Sequence, residues 1–178
     1  PSPRGPRRRR GRKDGVSPVS PAVSSDPVPL PQPERSSVAS VSVGIVLVSH
    51  SRALAEAALD LARRLIVAVD VPVELAAGLA DGELGTDAGL IVSVVEPLAD
   101  RCDGVLMLAD LGSGIMSAEM ALEMLDPAVA ERVRLSAAPF IEGLLGAYGA
   151  AGIGKDLAAV AAEADGAAEA KRSQVSAF

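Results

Sequence analysis

From Val41 onward, hydrophobic and polar positions follow two alternating rhythms. Short apolar runs of the strand type are separated by stretches in which apolar residues recur every three to four positions. The run VSVGIVLV (41–48) predicts a first strand. The segment from about Ser51 to Val69 predicts a helix with Leu54, Ala58, Leu61, Ala62 and Leu65 on its buried face. VPVELAA (71–77) predicts a second strand, and a loop with three glycines and GTD leads into a helix near 87–99. That helix buries Leu90, Ile91, Val94, Val95 and Leu98. DGVLMLA (103–109) is apolar almost throughout, as a strand covered on both faces is. After DLGSG (110–114) a helix runs from about Ser113 to Leu125. ERVRLSAA (131–138), the least apolar strand, belongs nearer an edge. Pro139 opens a further helix as a first-turn proline does. A glycine-rich break and another helix follow, and no element is predicted past about Gly166.

Strands alternating with helices define an α/β domain: an open, mostly parallel sheet of four main strands with helices on both faces. The order 2-1-3-4 of flavodoxin-like folds is the expected one. The domain is predicted over residues 41–166, with a disordered basic extension rich in Pro, Ser and Arg over 1–40 and a flexible tail over 167–178.

Composition narrows the picture. Apolar residues make up 49% of the chain, but with no Trp, one Tyr and two Phe the core must be built from small aliphatic side chains. Cys102 has no partner for a disulfide, and with one histidine there is no zinc-type Cys/His cluster. No metal and no cofactor is therefore expected, and the compartment indicated is the cytoplasm. No run of about 18 apolar residues marks a membrane span. Residues 1–36 hold eight Lys/Arg against three Asp/Glu, a formal charge of +5; residues 37–178 hold nine against twenty, or −11. So acidic a domain, with so few stacking groups, is unsuited to nucleic acid. Only the arm could touch RNA or a membrane, and a solvated extension is the plainer reading.

The chain's one histidine, His50, stands just past the first strand, and Asp110 just past the third. In the order 2-1-3-4 these strands are neighbours at the switch point, where open parallel sheets bind ligands. Two readings follow. One is a surface histidine with no task. The other is a nucleophilic imidazole, one ring nitrogen free and the other held by the Asp110 carboxylate, which fixes its tautomer. A phosphoryl group on the free nitrogen carries about two negative charges and needs hydrogen-bond donors. Ser49, Ser51, Thr86 and Ser113 are candidates, with helix N-terminal amides that Gly112 and Gly114 leave accessible. The competing reading of DLGSG is an ordinary strand-to-helix turn with Ser113 as N-cap.

Other motifs carry less. GAAGIGKD (149–156) has P-loop spacing, but it follows a helix and places Asp156 where the magnesium-binding hydroxyl belongs. Asp156 reads better as an N-cap and Lys155 as a solvated charge. The pairs Glu119/Glu123 and Glu131/Arg134 read as solvated faces, and Met116, Met120 and Met124 as packing.

The blocks IVLVSHS, GTDA, VLMLADLGSGIMSAEMALEML and VRLSAAPFIEGLLGA together resemble the phosphotransfer subunits of phosphoenolpyruvate-dependent dihydroxyacetone kinases. Their core domain is a relative of the mannose-family enzyme IIA of the bacterial sugar phosphotransferase system, and the likeness spans about Val43 to Ala164. It implies a phosphotransferase working as a phosphohistidine carrier. The histidine after the first strand, His50 here, takes a phosphoryl group from the phosphocarrier HPr and passes it to ADP on the kinase's nucleotide-binding subunit. Asp110 matches the aspartate that pairs with it, and the resemblance implies a homodimer. Some members continue into HPr-like and enzyme-I-like domains absent here, so HPr and enzyme I are expected as separate proteins. The edge strand that mannose-type relatives exchange across their dimer has only KRSQVSAF as a poor counterpart. The rival from another class is a phosphorylation-sensitive regulatory module that binds a different protein.

Overall fold

A computed structural model of the chain describes residues 43–67 and 69–177; the extension expected to be disordered lies outside the described residues. The elements run β1 (Val43–Ser49), α1 (Arg52–Leu65), β2 (Val73–Ala77), α2 (Ala88–Ala99), β3 (Gly104–Ala109), α3 (Gly112–Met124), α4 (Pro127–Ala130), β4 (Val133–Ser136), α5 (Phe140–Gly152) and α6 (Leu157–Ser176). The four strands form one parallel sheet in the order β2-β1-β3-β4, as the pattern predicted.

Every residue of β1 and β3 is buried, which explains their unbroken apolar runs. Alternate side chains feed two cores. Val43, Ile45 and Leu47 of β1 join Leu106 and Leu108 of β3 against α1, α5 and α6. Val46, Val48, Val105 and Met107 face the opposite way, against α2 and α3. Close approach makes a small core workable: a Cβ at Gly44 would lie 2.8 Å from Leu98, so α2 sits on β1 at a distance only glycine permits.

The structure departs from the pattern in four places. α1 buries Ala55, Ala58, Leu59 and Ala62, while Leu54, Leu61 and Leu65 stand exposed, so the buried face is turned by roughly 65° about the helix axis from the expected one. The strip of small alanines lets α1 lie close on the sheet, and the bulkier leucines flank it. β4 is only four residues, and the short α4 before it is capped by Asp126, whose side chain accepts from Ala128 N. Met116, Met120 and Met124 are exposed rather than packed. Lastly, α6 continues to Ser176 through the segment expected to be a flexible tail. AAEAKRSQVS carries no apolar stripe to announce a helix, yet strong helix formers dominate its first half, and Lys171 pairs with Glu142 of α5.

Among the described residues no helix is long and apolar enough to cross a membrane.

Candidate functional site

β1 and β3 pair in register up to Val48 and Ala109, and the Asp110 N–H continues the ladder by donating to the Val48 carbonyl at 3.1 Å. The carboxylate of Asp110 is thereby carried alongside Ser49 and His50. It accepts three hydrogen bonds from β1 and its extension. Oδ2 takes the His50 backbone N–H and the Ser49 hydroxyl, each at 2.9 Å, and Oδ1 takes His50 Nδ1 at 2.9 Å. Burial alone would raise the Asp110 pKa; the hydrogen bonds from the His50 amide, its ring and Ser49 outweigh that and hold it below its ordinary value of 3.8.

An ionised carboxylate only accepts, so Nδ1 carries a proton and, in the neutral ring, Nε2 holds the free electron pair. The Ser113 hydroxyl lies 2.6 Å from Nε2 and donates to it in that tautomer. The His50 side chain is 22% exposed and that of Asp110 only 6%: the ring faces solvent and its support does not. Beside the ring opens a cavity of about 330 Å³, bordered by Ser51, Arg52, Glu56, Gly78 and Leu84, with Arg52 Nε held at 3.0 Å by Glu56.

The remaining predicted residues fall into distinct places. Ser49 is fully buried behind the ring, its Oγ 2.9 Å from Asp110 and 3.0 Å from the Ser51 carbonyl, so it braces the carboxylate instead of facing a ligand. Ser51 is the N-cap of α1, accepting from Leu54 N. Thr86 points to Ser117 of α3, Oγ1 to Oγ 2.8 Å. Ser113 is not the N-cap: α3 begins one residue earlier, capped by Leu111, which offers no side-chain hydrogen bond. The first amides of α3 are thus left without the side-chain acceptor that Ser51 gives α1 and Asp87 gives α2. A Cβ at Gly112 would meet open space, whereas one at Gly114 would press to 3.2 Å from Asp110 Oδ1.

Two positioning residues have no mark in the sequence pattern. Gly85 donates its N–H to the His50 carbonyl at 3.0 Å, and Ser117 anchors Thr86. Together they fasten the β2–α2 loop to the site, contacts that no periodicity reports. Among the described residues no group of three or more His, Cys, Asp or Glu could hold a metal ion.

A lone imidazole thus stands at the β1/β3 switch point, backed by a buried carboxylate. The family model described as the PTS system fructose IIA component, EIIA-man, matches residues 44–161, and the chain belongs to that family. Within it, the chain resembles DhaM, the phosphoryl donor subunit of PEP-dependent dihydroxyacetone kinase. It is 43% identical over 135 residues to that of Escherichia coli (strain K12), which covers 75% of this chain and 28% of that protein. A second, phosphoryl donor subunit DhaM of dihydroxyacetone kinase 2 from Listeria innocua serovar 6a, is 35% identical over 101 residues, covering 57% of this chain and 79% of that protein. The chain thus spans under a third of the length of the Escherichia coli relative and most of the Listeria one. A crystal structure of a protein of unknown function, EF1359, superposes with a TM-score of 0.64 at 30% identity, covering 70% of this chain and 93% of that one.

Proposed function

We propose that this chain is a phosphohistidine carrier whose His50 Nε2 accepts a phosphoryl group from HPr and passes it to ADP on the nucleotide-binding subunit of dihydroxyacetone kinase. The observation that carries this reading is the ring held between Asp110 at Nδ1 and Ser113 at Nε2.

Transfer is an in-line displacement. Ser113 turns its hydroxyl off Nε2, whose electron pair attacks phosphorus while the N–P bond to the donor histidine breaks and returns its electrons to the donor ring. His50, now bonded to phosphorus at Nε2 and to a proton at Nδ1, is positively charged, and the carboxylate below it compensates. The new dianion meets the Ser113 hydroxyl and the uncapped amides at the start of α3, where the helix dipole favours negative charge. Onward transfer reverses these steps with an ADP oxygen as the incoming nucleophile, and the ring returns to neutrality. Little covalent chemistry falls to the protein; alignment and charge compensation supply the rate.

Ser49 and Ser51 serve here by bracing the carboxylate and starting α1, Thr86 by fixing the loop, and Gly112 by leaving room above the amides. The reading also places the chain in the cytoplasm and as a homodimer. It is tested with enzyme I, HPr and radiolabelled phosphoenolpyruvate. The parent chain acquires acid-labile, alkali-stable label and the His50→Ala chain none. Label of equal yield on His50→Ala would sink the scheme.

A further inference from the structure

Arg52 is the first residue of α1, two positions after His50, and nothing in the helix asks for a cation there. A helix N-terminus carries partial positive charge and favours acidic groups in its first turn. The partner the structure gives Arg52 is Glu56, whose Oε1 accepts from Nε at 3.0 Å. An i,i+4 pair with the base ahead of the acid is the weaker of the two orders. With side chains 63% and 56% exposed, it contributes little to the fold. The surroundings give the guanidinium another use. His50, Arg52 and Glu56 border one cavity of about 330 Å³, completed by Gly78, Leu79 and the loop as far as Leu84. A Cβ at Gly78 would lie 3.7 Å from Arg52 Cβ, so the stem of Arg52 rests on the backbone at the end of β2. The stretches that directly follow the four strands (50–56, 78–90, 110–117 and 137–142) hold a single Lys/Arg, Arg52, against six Asp/Glu. A dianion on His50 therefore forms within an acidic rim, and the cation of that rim is two residues away.

We infer that Arg52 is a phosphoryl-binding residue: once Nε2 carries phosphorus, the guanidinium leaves Glu56 and turns to the phosphoryl oxygens, and the Glu56 carboxylate passes to solvent. This rests on the carrier reading and adds a cation from α1 to the groups of α3 that meet the dianion. Relative strength decides the exchange. The pair with Glu56 is exposed and made through one N–H, whereas a planar guanidinium meets a phosphoryl dianion through two parallel N–H donors and twice the opposing charge. Only side-chain torsions have to change, because both partners stand at the surface. Before phosphorylation, Glu56 holds the positive charge aside and leaves the electron pair of Nε2 to react.

The test compares the full chain with its Arg52→Gln, Arg52→Lys and Glu56→Gln variants. The equilibrium constant for transfer from phosphorylated HPr is read from the label on each protein, and stability from urea unfolding. Arg52→Gln and Glu56→Gln break the same ion pair, so they are expected to change stability alike and little. The equilibrium separates them. Arg52→Gln is expected to lower the constant about fivefold or more, and Arg52→Lys to recover most of that loss. Glu56→Gln is expected to leave it at or above the parent value. A second measurement needs no protein donor. His50 is phosphorylated with phosphoramidate, whose N–P bond breaks with loss of ammonia as the bond to Nε2 forms. The Arg52 Nε–H signal, assigned by its absence from Arg52→Lys, is expected to shift in the NMR spectrum. A signal unmoved by phosphorylation would overturn the inference, and so would an equal fall of the constant in Arg52→Gln and Glu56→Gln, which makes the pair structural. Forward and reverse transfer slowed equally in Arg52→Gln, with the constant unchanged, would overturn it too and assign Arg52 to contact with HPr. A signal that moves under phosphoramidate in a chain that takes no label from HPr would keep Arg52 in its role and remove the carrier reading. A chain labelled by neither would remove both.

Discussion

Replacing Asp110 by its near-isostere asparagine tests the site more sharply than removing the side chain. The His50 backbone N–H is a fixed donor aimed at Oδ2, so the amide must turn its oxygen there and present its NH₂ to the ring at Oδ1. Nδ1 then becomes the acceptor and the ring proton moves to Nε2, which loses the electron pair that attacks phosphorus. The compensating charge is lost as well. A hydrogen bond to a charged group contributes about 1.5–3 kcal/mol, and each 1.36 kcal/mol is tenfold in rate. Losing it as the ring becomes positive slows transfer by about 10- to 150-fold, with the tautomer change in addition. Asp110→Ala loses the same charge but leaves the tautomer free, so the asparagine chain is expected to be at least as slow as the alanine one. Rapid-quench measurement of single-turnover transfer from phosphorylated HPr compares them. An asparagine chain within threefold of the parent, or tenfold faster than Asp110→Ala, would refute the reasoning. Thermodynamics gives a second readout. The folded-state pKa of Asp110 is lowered, so the stability it contributes is complete above its ordinary 3.8 and is lost as pH falls through the lowered value. The gap in unfolding free energy between the parent and Asp110→Asn is expected to narrow below about pH 4, where the unfolded carboxylate takes up its proton.

Two further expectations concern the supports of the site and the fold. Thr86→Val and Ser117→Ala each remove a hydrogen bond of about 0.5–1.5 kcal/mol, and because the two hydroxyls bond to each other the double variant is expected to lose less than the sum in denaturant unfolding. Gly146→Ala sets a Cβ 2.8 Å from the Glu163 carbonyl oxygen, prising α6 from α5. That overpacking costs about 1–3 kcal/mol, seen as a fall of roughly 4–12 °C in Tm by calorimetry.

Strand order and the meeting of His50 with Asp110 were legible because both follow from topology. Two adjacent parallel strands bring whatever follows each of them together, whichever helices surround the sheet. What surrounds the pair was less legible. The phase of α1 is set by how closely the helix lies on the sheet, and scoring leucine above alanine misplaces it. The exposure of Met116, Met120 and Met124 is hidden because an apolar residue on a helix reads as core whether or not anything covers it. Ser49 and Thr86 were expected to offer hydroxyls to a phosphoryl group, yet those hydroxyls go to Asp110 and Ser117, and pairings between polar side chains leave no trace in periodicity. α6 past Gly166 is held by propensity and by Lys171 against Glu142, so it lacked the apolar rhythm that would have predicted it.

The three bonds at Asp110 join the ends of the two central strands, so the aim of the imidazole is set by the pairing of β1 with β3. Amide exchange at His50 is therefore tied to opening of the whole sheet. On heating, competence for phosphorus chemistry is expected to be lost together with the folded state rather than before it.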